Sequence, residues 1–458
     1  MNERETQSDS PIRFLLDGFE RFGNADAVVW NDRVFDYGWL LDRVEHWCAA
    51  LPERGVSERS VVRFECDFSP NTVALLLALI ERACIVVPMT SAIGPQREEL
   101  GQTAEAEIAV TVDQSDNVSF AQLDGVASHA HYDALREVGH AGLVLFSSGS
   151  TGKTKAAVHD FTKLLNKFRT PRRRLRAITF LLFDHIGGVN TLLYTLSNGG
   201  CVVTVSDRTP ENILATIARH RVELLPVSPT FLSLVLLSGA HARHDLSSLQ
   251  TVTYGTEPMP ESTLKRFGEA CPHVVLQQTY GLSELGILRS RSKDSSSLWM
   301  KVGGKGFETR IVDGMLQIKA ESAMLGYLNA PSPLTSDGWM VTGDVVEVDG
   351  EYLRILGRQT EMINVGGEKV HPAEIESVIQ EIENVAEVTV YGAPHAITGN
   401  IVCACVRPCE AEDAKAFRVR LKKYCKERLA PYKVPVKIQL DDSEQFSERF
   451  KKRRIKHT

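Results

Sequence analysis

FSSGSTGKTK, residues 146–155, follows the apolar run AGLVL at 141–145, and this junction decides the fold. The loop carries hydroxyls at Ser147, Ser148, Ser150, Thr151 and Thr154, glycines at Gly149 and Gly152, and lysines at Lys153 and Lys155. Glycines let a backbone turn its N–H groups inward without Cβ clashes, and hydroxyls and ammonium groups add donors. An apolar strand feeding such a loop is a phosphate-binding design, so the chain reads as a nucleotide-using enzyme. Two loop types compete. A Walker A loop, G-x-x-x-x-G-K-[ST], is met at Gly152-Lys153-Thr154 but has Ser147 where it needs glycine. A serine- and glycine-rich loop ending on a lysine two residues further on is met by Ser147, Ser148, Gly149, Ser150, Thr151, Gly152 and Lys155. In that loop Thr154 replaces a usual proline and Ala156 a usual glycine.

Outward from the loop, 458 residues with 43% apolar and 24% charged side chains predict a globular protein of two to three domains. The net charge of −6 argues against a general nucleic-acid partner. The opening MNERETQSDS lacks an apolar signal core, and the best apolar run, 73–88, is broken by Glu81-Arg82, so no membrane span is expected. A cytoplasmic protein is the expectation. The nine cysteines form no CxxC pair; Cys403 and Cys405 alternate with Val402, Ala404 and Val406 as one face of a strand. Free thiols in a reducing compartment are expected in preference to a metal site.

Along 34–110 amphipathic helices (40–51, 71–80) alternate with apolar strands (60–64, 84–88), and strands recur at 202–205, 222–227 and 251–254. Such alternation predicts α/β architecture with parallel-rich sheets covered on both faces. From about 311 the character changes to short strands joined by Asp-Gly turns, as in an antiparallel sheet or small barrel. After Arg358 comes a compact α+β stretch: a helix over 372–381, strands over 386–392 and 402–406, and a helix over 414–429. The expected division is a large domain of two βα sheets plus a barrel-like subdomain, 1–358, and a small mobile α+β domain, 359–458.

Further segments converge on one family. They are FDHIGG (183–188), TYGTEP (253–258), QTYGLSELG (278–286), TGD (342–344), GR (357–358) and NVGGEKVHPAEIE (364–376). In these residues, and in their order across nearly the whole chain, the sequence resembles the adenylate-forming superfamily of acyl- and aryl-CoA synthetases, carrier-protein adenylation domains and luciferases. The chain is short for that group, with trimmed loops around 110–140 and 290–310.

The resemblance implies attack of a carboxylate on the α-phosphate of ATP, loss of pyrophosphate, and attack of a thiol on the acyl-adenylate. Positioning and charge neutralisation, rather than a protein nucleophile, would carry both steps. By that resemblance the loop 147–155 would hold the β- and γ-phosphates, Glu284 would carry Mg²⁺, and Ser283 would offer its hydroxyl to the α-phosphate. Tyr280 would stack on adenine with Gly255, Thr256 and Glu257 opposite, and Asp344 and Arg358 would hold the ribose. His185 would gate an acyl pocket walled by Ile186, Thr230, Phe231, Thr279, Gly281 and Leu285. Gly366 and Gly367 would let pantetheine approach. The residue after the gate is Ile186, where amino-acid-activating relatives have an aspartate, so an apolar or aromatic acid without an α-amine is expected.

Two places depart from the pattern. The catalytic lysine of the family follows a glycine near the C-terminus. Here the segment reads SEQFSERFKKRRIK (443–456), and counting from Val434-Pro435 puts Lys451 at that position, with Phe450 for glycine and Lys452 as the alternative. At the hinge Gln359 and Thr360 stand where an aspartate or lysine is usual. The basic cluster Lys163, Lys167, Arg169, Arg172, Arg173, Arg174 and Arg176 reads as a site for the nucleotide of coenzyme A or an acidic carrier protein, or as a solvated face. The leading expectation is an ATP- and Mg²⁺-dependent ligase of a small carboxylic acid with coenzyme A, monomeric or homodimeric. Loading of a carrier-protein phosphopantetheine, and a nucleotide-binding homologue with weakened catalysis, remain open beside it.

Overall fold

The computed structural model describes residues 10–148, 153–447 and 450–452. Two seven-stranded sheets form the large lobe. In the first, Ile108–Val112, Val61–Glu65, Ile85–Met89 and Gly142–Ser148 lie side by side in parallel, and Thr154–Asp160 returns antiparallel to the last of them. In the second, Val275–Gln278, Thr251–Tyr254, Leu224–Val227, Arg176–Ile178, Cys201–Val203 and Asp26–Trp30 are parallel, and Arg33–Asp36 closes the edge antiparallel. The helix Pro70–Glu81 is apolar on every side, and Thr72 through Ile80 are all buried in the core it shares with both sheets. A helix without a polar face has to lie between layers. Ser69 starts it by accepting the Thr72 N–H, and Pro70 supplies the φ of a first helical residue.

The third sheet is antiparallel, six strands from Ser290–Ser292 round to Phe307–Val312. Its turns are the ones Asp-Gly chemistry requires. Asp313 and Gly314 have φ of 52° and 76°, joining Phe307–Val312 to Met315–Ala320 in a two-residue hairpin that needs both central residues left-handed. This sheet ends with Tyr352–Arg358, and after the turn Gln359–Glu361 a fourth begins at Ile363–Val365. The fourth sheet centres on the long pair Val385–His395 and Gly399–Pro408, covered by Pro372–Ile379 and Ala414–Arg428 around a separate apolar core. The first of these helices stops at Ile379, two residues before the expected end.

The expected α/β architecture is what the chain adopts. The strand pair bracketing the serine-rich loop also decides between the two loop types. Ser147 pairs with Lys155 and Ser148 with Thr154, so the loop is the tip of a β-hairpin. A Walker loop opens a helix, whereas here a second strand follows. All nine cysteines are free, and Cys403 and Cys405 are both buried in one strand. Among the described residues no group of three or more potential metal ligands occurs, and no helix is long and apolar enough to cross a membrane.

Candidate active site

The hairpin tip is where the sheets deliver their functional groups. Lys155 leaves the tip with its Nζ 5.1 Å above the ring centre of Tyr327, whose hydroxyl donates to Glu284 Oε1 at 2.6 Å. Lys155, Tyr327 and Glu284 therefore form one string, with the segment bearing Ser283 and Glu284 held against the strand Thr154–Asp160. Gly149, Ser150, Thr151 and Gly152, the remaining expected phosphate-binding residues, lie outside the described residues.

The tie between strand and segment is a residue the sequence reading passed over. His159 is fully buried, and its Nε2–H donates to the Ser283 carbonyl at 2.5 Å. Burial holds the imidazole below its ordinary pKa of 6.5, against weaker upward pulls from the Ser283 bond and Glu284. The folded state thus binds fewer protons than the unfolded one below pH 6.5, and stability falls as the pH drops through that region. A His159→Gln variant is expected to be less stable than the parent at pH 7.5 and to show a shallower loss between pH 6.5 and 5, read by denaturant titration at each pH. Equal slopes in the two proteins would remove His159 from this linkage.

The turn after Thr251–Tyr254 lies at the carboxyl ends of the second sheet, the usual place for ligands in open α/β sheets. Gly255 is required there, because a Cβ would come within 2.7 Å of the Thr279 carbonyl. Thr256 follows at φ 75°, a left-handed conformation that strains any residue but glycine. Across the site the Tyr280 hydroxyl donates to Asp344 Oδ2 at 2.5 Å, and Arg358 Nε lies 2.8 Å from Oδ1. Burial pushes the Asp344 carboxyl up, the Arg358 guanidinium opposing it. The structure brings Tyr280, Asp344 and Arg358 together.

The Glu257 side chain is held through both of its oxygens. Its Oε1 accepts from the Thr230 N–H at 2.9 Å and from the Thr230 hydroxyl, and its Oε2 accepts from the Lys452 N–H at 3.2 Å. One of the three donors comes from the far lobe.

The tail closes the site. Phe450 has φ 50°, the conformation the missing glycine would adopt without strain, and its carbonyl accepts from the Ser228 hydroxyl at 2.6 Å. Its ring lies 5.3 Å from Phe180, 5.4 Å from Phe231 and 5.8 Å from Phe446, a cluster that holds the awkward backbone in place. The two lysines that follow go opposite ways. Lys451 Nζ reaches 3.4 Å from His185 Nε2, and Lys452 Nζ pairs at 2.8 Å with Glu376, which is 2% exposed. His185 itself starts the helix Ile186–Ser197, its Nδ1 accepting the Gly187 N–H. The alternative between the two lysines is thus separated in space: one enters the site and the other anchors the segment to the small lobe.

Of the expected pocket walls, Thr279 and Gly281 are part-exposed, and Ile186 and Thr230 are buried. The Thr230 and Thr279 hydroxyls are already spent on Glu257 and the Tyr254 carbonyl, which leaves apolar wall. A Cβ on Gly281 would meet Ile287 Cδ1 at 2.5 Å. Phe231 and Leu285 are fully buried, the first against Phe450 and the second in the core of the third sheet. Gly366 and Gly367, at φ 62° and 94°, form an exposed hairpin tip on the small lobe. The basic cluster does not act as one patch. Arg176 pairs with Asp26, Lys163 lies by Asp160, Arg169 lies over Phe14, Arg173 donates to Gln250, and Lys167 turns inward.

A serine-rich hairpin tip, a buried tyrosine–carboxylate–arginine site and a lysine returned from the far end define an enzyme of the adenylate-forming fold. The family model described as AMP-binding enzyme matches residues 17–327, and that described as AMP-binding enzyme C-terminal domain matches 374–445. The chain belongs to the AMP-binding enzyme family. It is 28% identical over 465 residues to the indoleacetate–CoA ligase of Aromatoleum aromaticum, with 90% of each chain covered. It is 26% identical over 463 residues to a feruloyl-CoA synthase of Amycolatopsis sp, with 92% of each covered. Among solved structures, the anthranilate CoA ligase AuaEII in complex with anthranoyl-AMP superposes with a TM-score of 0.82 at 21% identity, covering 96% of this chain and 95% of that one.

Proposed function

We propose that this protein is an ATP-dependent carboxylic acid–CoA ligase acting through an acyl-adenylate, with an apolar or aromatic acid that lacks an α-amine. The observation that carries the reading is Lys451, delivered to 3.4 Å from His185 at the head of the helix Ile186–Ser197. An ammonium there neutralises charge where the substrate carboxylate meets the α-phosphate, and it does so already positioned. A carboxylate oxygen forms the new bond to the α-phosphorus as the bond to pyrophosphate breaks. The thiol sulfur then bonds to the acyl carbon, AMP leaves with the carboxylate oxygen, and the thiol proton passes to solvent.

Asp184 is buried and accepts from the Thr90 hydroxyl at 2.9 Å, so it serves the fold and offers nothing to a substrate amine. The named relatives act on indoleacetate and ferulate, which supports an aromatic acid. Glu284 suits Mg²⁺: one oxygen is taken by Tyr327, the other has no partner among the described residues, and a single carboxylate with phosphate oxygens is a usual setting for this ion. Bound there, the ion would offset phosphate charge. The exposed glycine tip at 366–367 offers backbone for a pantetheine arm, which favours division of the chain into lobes 1–358 and 359–458 that reorient between half-reactions.

A panel of benzoic, cinnamic, anthranilic and fatty acids tests the reading by pyrophosphate release with and without coenzyme A. Acid-dependent pyrophosphate, and acyl-CoA once coenzyme A is added, is the expected result. Orthophosphate release, or pyrophosphate release indifferent to acid, would overturn it.

A further inference from the structure

Among the described residues no carboxylate pairs with the Lys167 ammonium. It follows the short helix Phe161–Leu165 and donates to the Asn190 side-chain oxygen and, at 2.9 Å, to the Ile287 carbonyl. Asn190 stands one turn beyond Ile186 on the helix headed by His185, and Ile287 pairs with Gly281 across the hairpin that follows Tyr280. Lys167 therefore bridges the two elements that carry the expected acyl-pocket residues, at the end away from Lys451. Protein surrounds it on most sides, yet Lys167, Asn190 and Ile287 all keep solvent-facing surface while Ile186, Val189, Leu285 and Leu288 are buried.

The charge is unbalanced. A lysine ammonium has three donors; two are used, and among the described residues the third meets no acceptor and no carboxylate forms an ion pair with it. The charged groups acting on it most strongly are Arg172 and Arg289, both cationic, and burial together with them brings its pKa down to about 7. The Phe168 ring, 4.9 Å from Nζ, is its remaining contact, weaker than the charge-assisted bond a ligand carboxylate would accept.

We propose that Lys167 recognises a second carboxylate at the end of the substrate remote from the reacting one, so that the preferred acid is an apolar-bodied dicarboxylic acid. The proposal rests on the ligase reading and names the substrate class of that same site. A purely structural Lys167 would tie helix to hairpin and affect all acids alike, which separates the two roles.

The test is pyrophosphate release by the full chain and by Lys167→Met and Lys167→Arg. Each monoacid is compared with its diacid over a series of lengths, octanoic against octanedioic and benzoic against benzene-1,4-dicarboxylic acid among them. The parent is expected to prefer the diacid within its best pair. In Lys167→Met the diacid-to-monoacid ratio of kcat/KM should fall roughly 10- to 100-fold, the range a charge-assisted hydrogen bond supports, and Lys167→Arg should recover part of it. A parent that prefers the monoacid in every pair, or a Lys167→Met that lowers both members equally, overturns the assignment while the ligase reading stands. Absence of pyrophosphate with every acid removes the ligase reading and this proposal with it.

Discussion

Lys451→Ala is expected to slow acid-dependent pyrophosphate release by about 100- to 1,000-fold, the loss typical of removing one preorganised charge from a transition state. ATP binding should change little, because the residues expected to hold the nucleoside and the phosphates are Tyr280, Asp344, Arg358 and the hairpin tip. Conversion of a supplied acyl-adenylate to its CoA thioester should also be spared, since that step needs no charge on the α-phosphate. Single-turnover kinetics with ATP and acid, beside a separate assay with preformed adenylate, distinguishes these steps. Unchanged pyrophosphate release would take Lys451 out of the site. Lys452 gives the internal comparison. Its ammonium belongs to Glu376, so Lys452→Ala should impair the reaction through misplacement of its neighbour, with the larger share of the loss in lobe stability.

Glu376→Ala carries the second large effect. Glu376 accepts from the Val390 N–H at 2.9 Å and from Lys452 Nζ at 2.8 Å while almost wholly buried. Removing one partner of a buried pair costs more than the pair contributes, because the other charge and the amide are left unmatched. The Lys452 side chain keeps 19% of its surface open to water, so its ammonium can recover some solvation, and a cost of about 3 kcal/mol is expected, the low end of the usual range. In the full-length protein this should appear as amide exchange at Val390 and along its strand faster by roughly 100-fold. Adenylation should fall with it, since the tail loses the anchor that aims Lys451. Unaltered exchange would show that the pair does not hold the small lobe together.

Much of this was legible in the chain, for physical reasons that differ from place to place. The alternating helices and strands of the large lobe are periodic, and periodicity is local. The helix over 71–80 was readable because nine successive apolar or small residues have only one place to go. The Asp313-Gly314 hairpin was readable because few residue pairs tolerate two left-handed positions. Counting from Val434-Pro435 singles out Lys451 even though its glycine is gone, and the structure sets its ammonium beside His185.

The missed features all involve partners far apart in sequence. Nothing in the pattern around His159 indicates the carbonyl of Ser283, and nothing around Glu257 indicates the Lys452 amide from the other lobe. Lys167 sits in a run of basic residues that reads as an anion or carrier-protein site or as a solvated face; only the fold shows it turned inward. Phe450 reads as a lost glycine. In the structure it keeps the glycine's backbone shape and adds an aromatic clasp.

The seam between the lobes has a peculiarity with a consequence for turnover. On one side Thr256 stands at φ 75°, immediately before the carboxylate that receives the Lys452 amide; on the other Phe450 stands at φ 50°. Each non-glycine residue held this way costs about 1–2 kcal/mol. If the lobes reorient as proposed, Phe450 would relax as the tail withdraws, and its strain would favour opening of the shut arrangement.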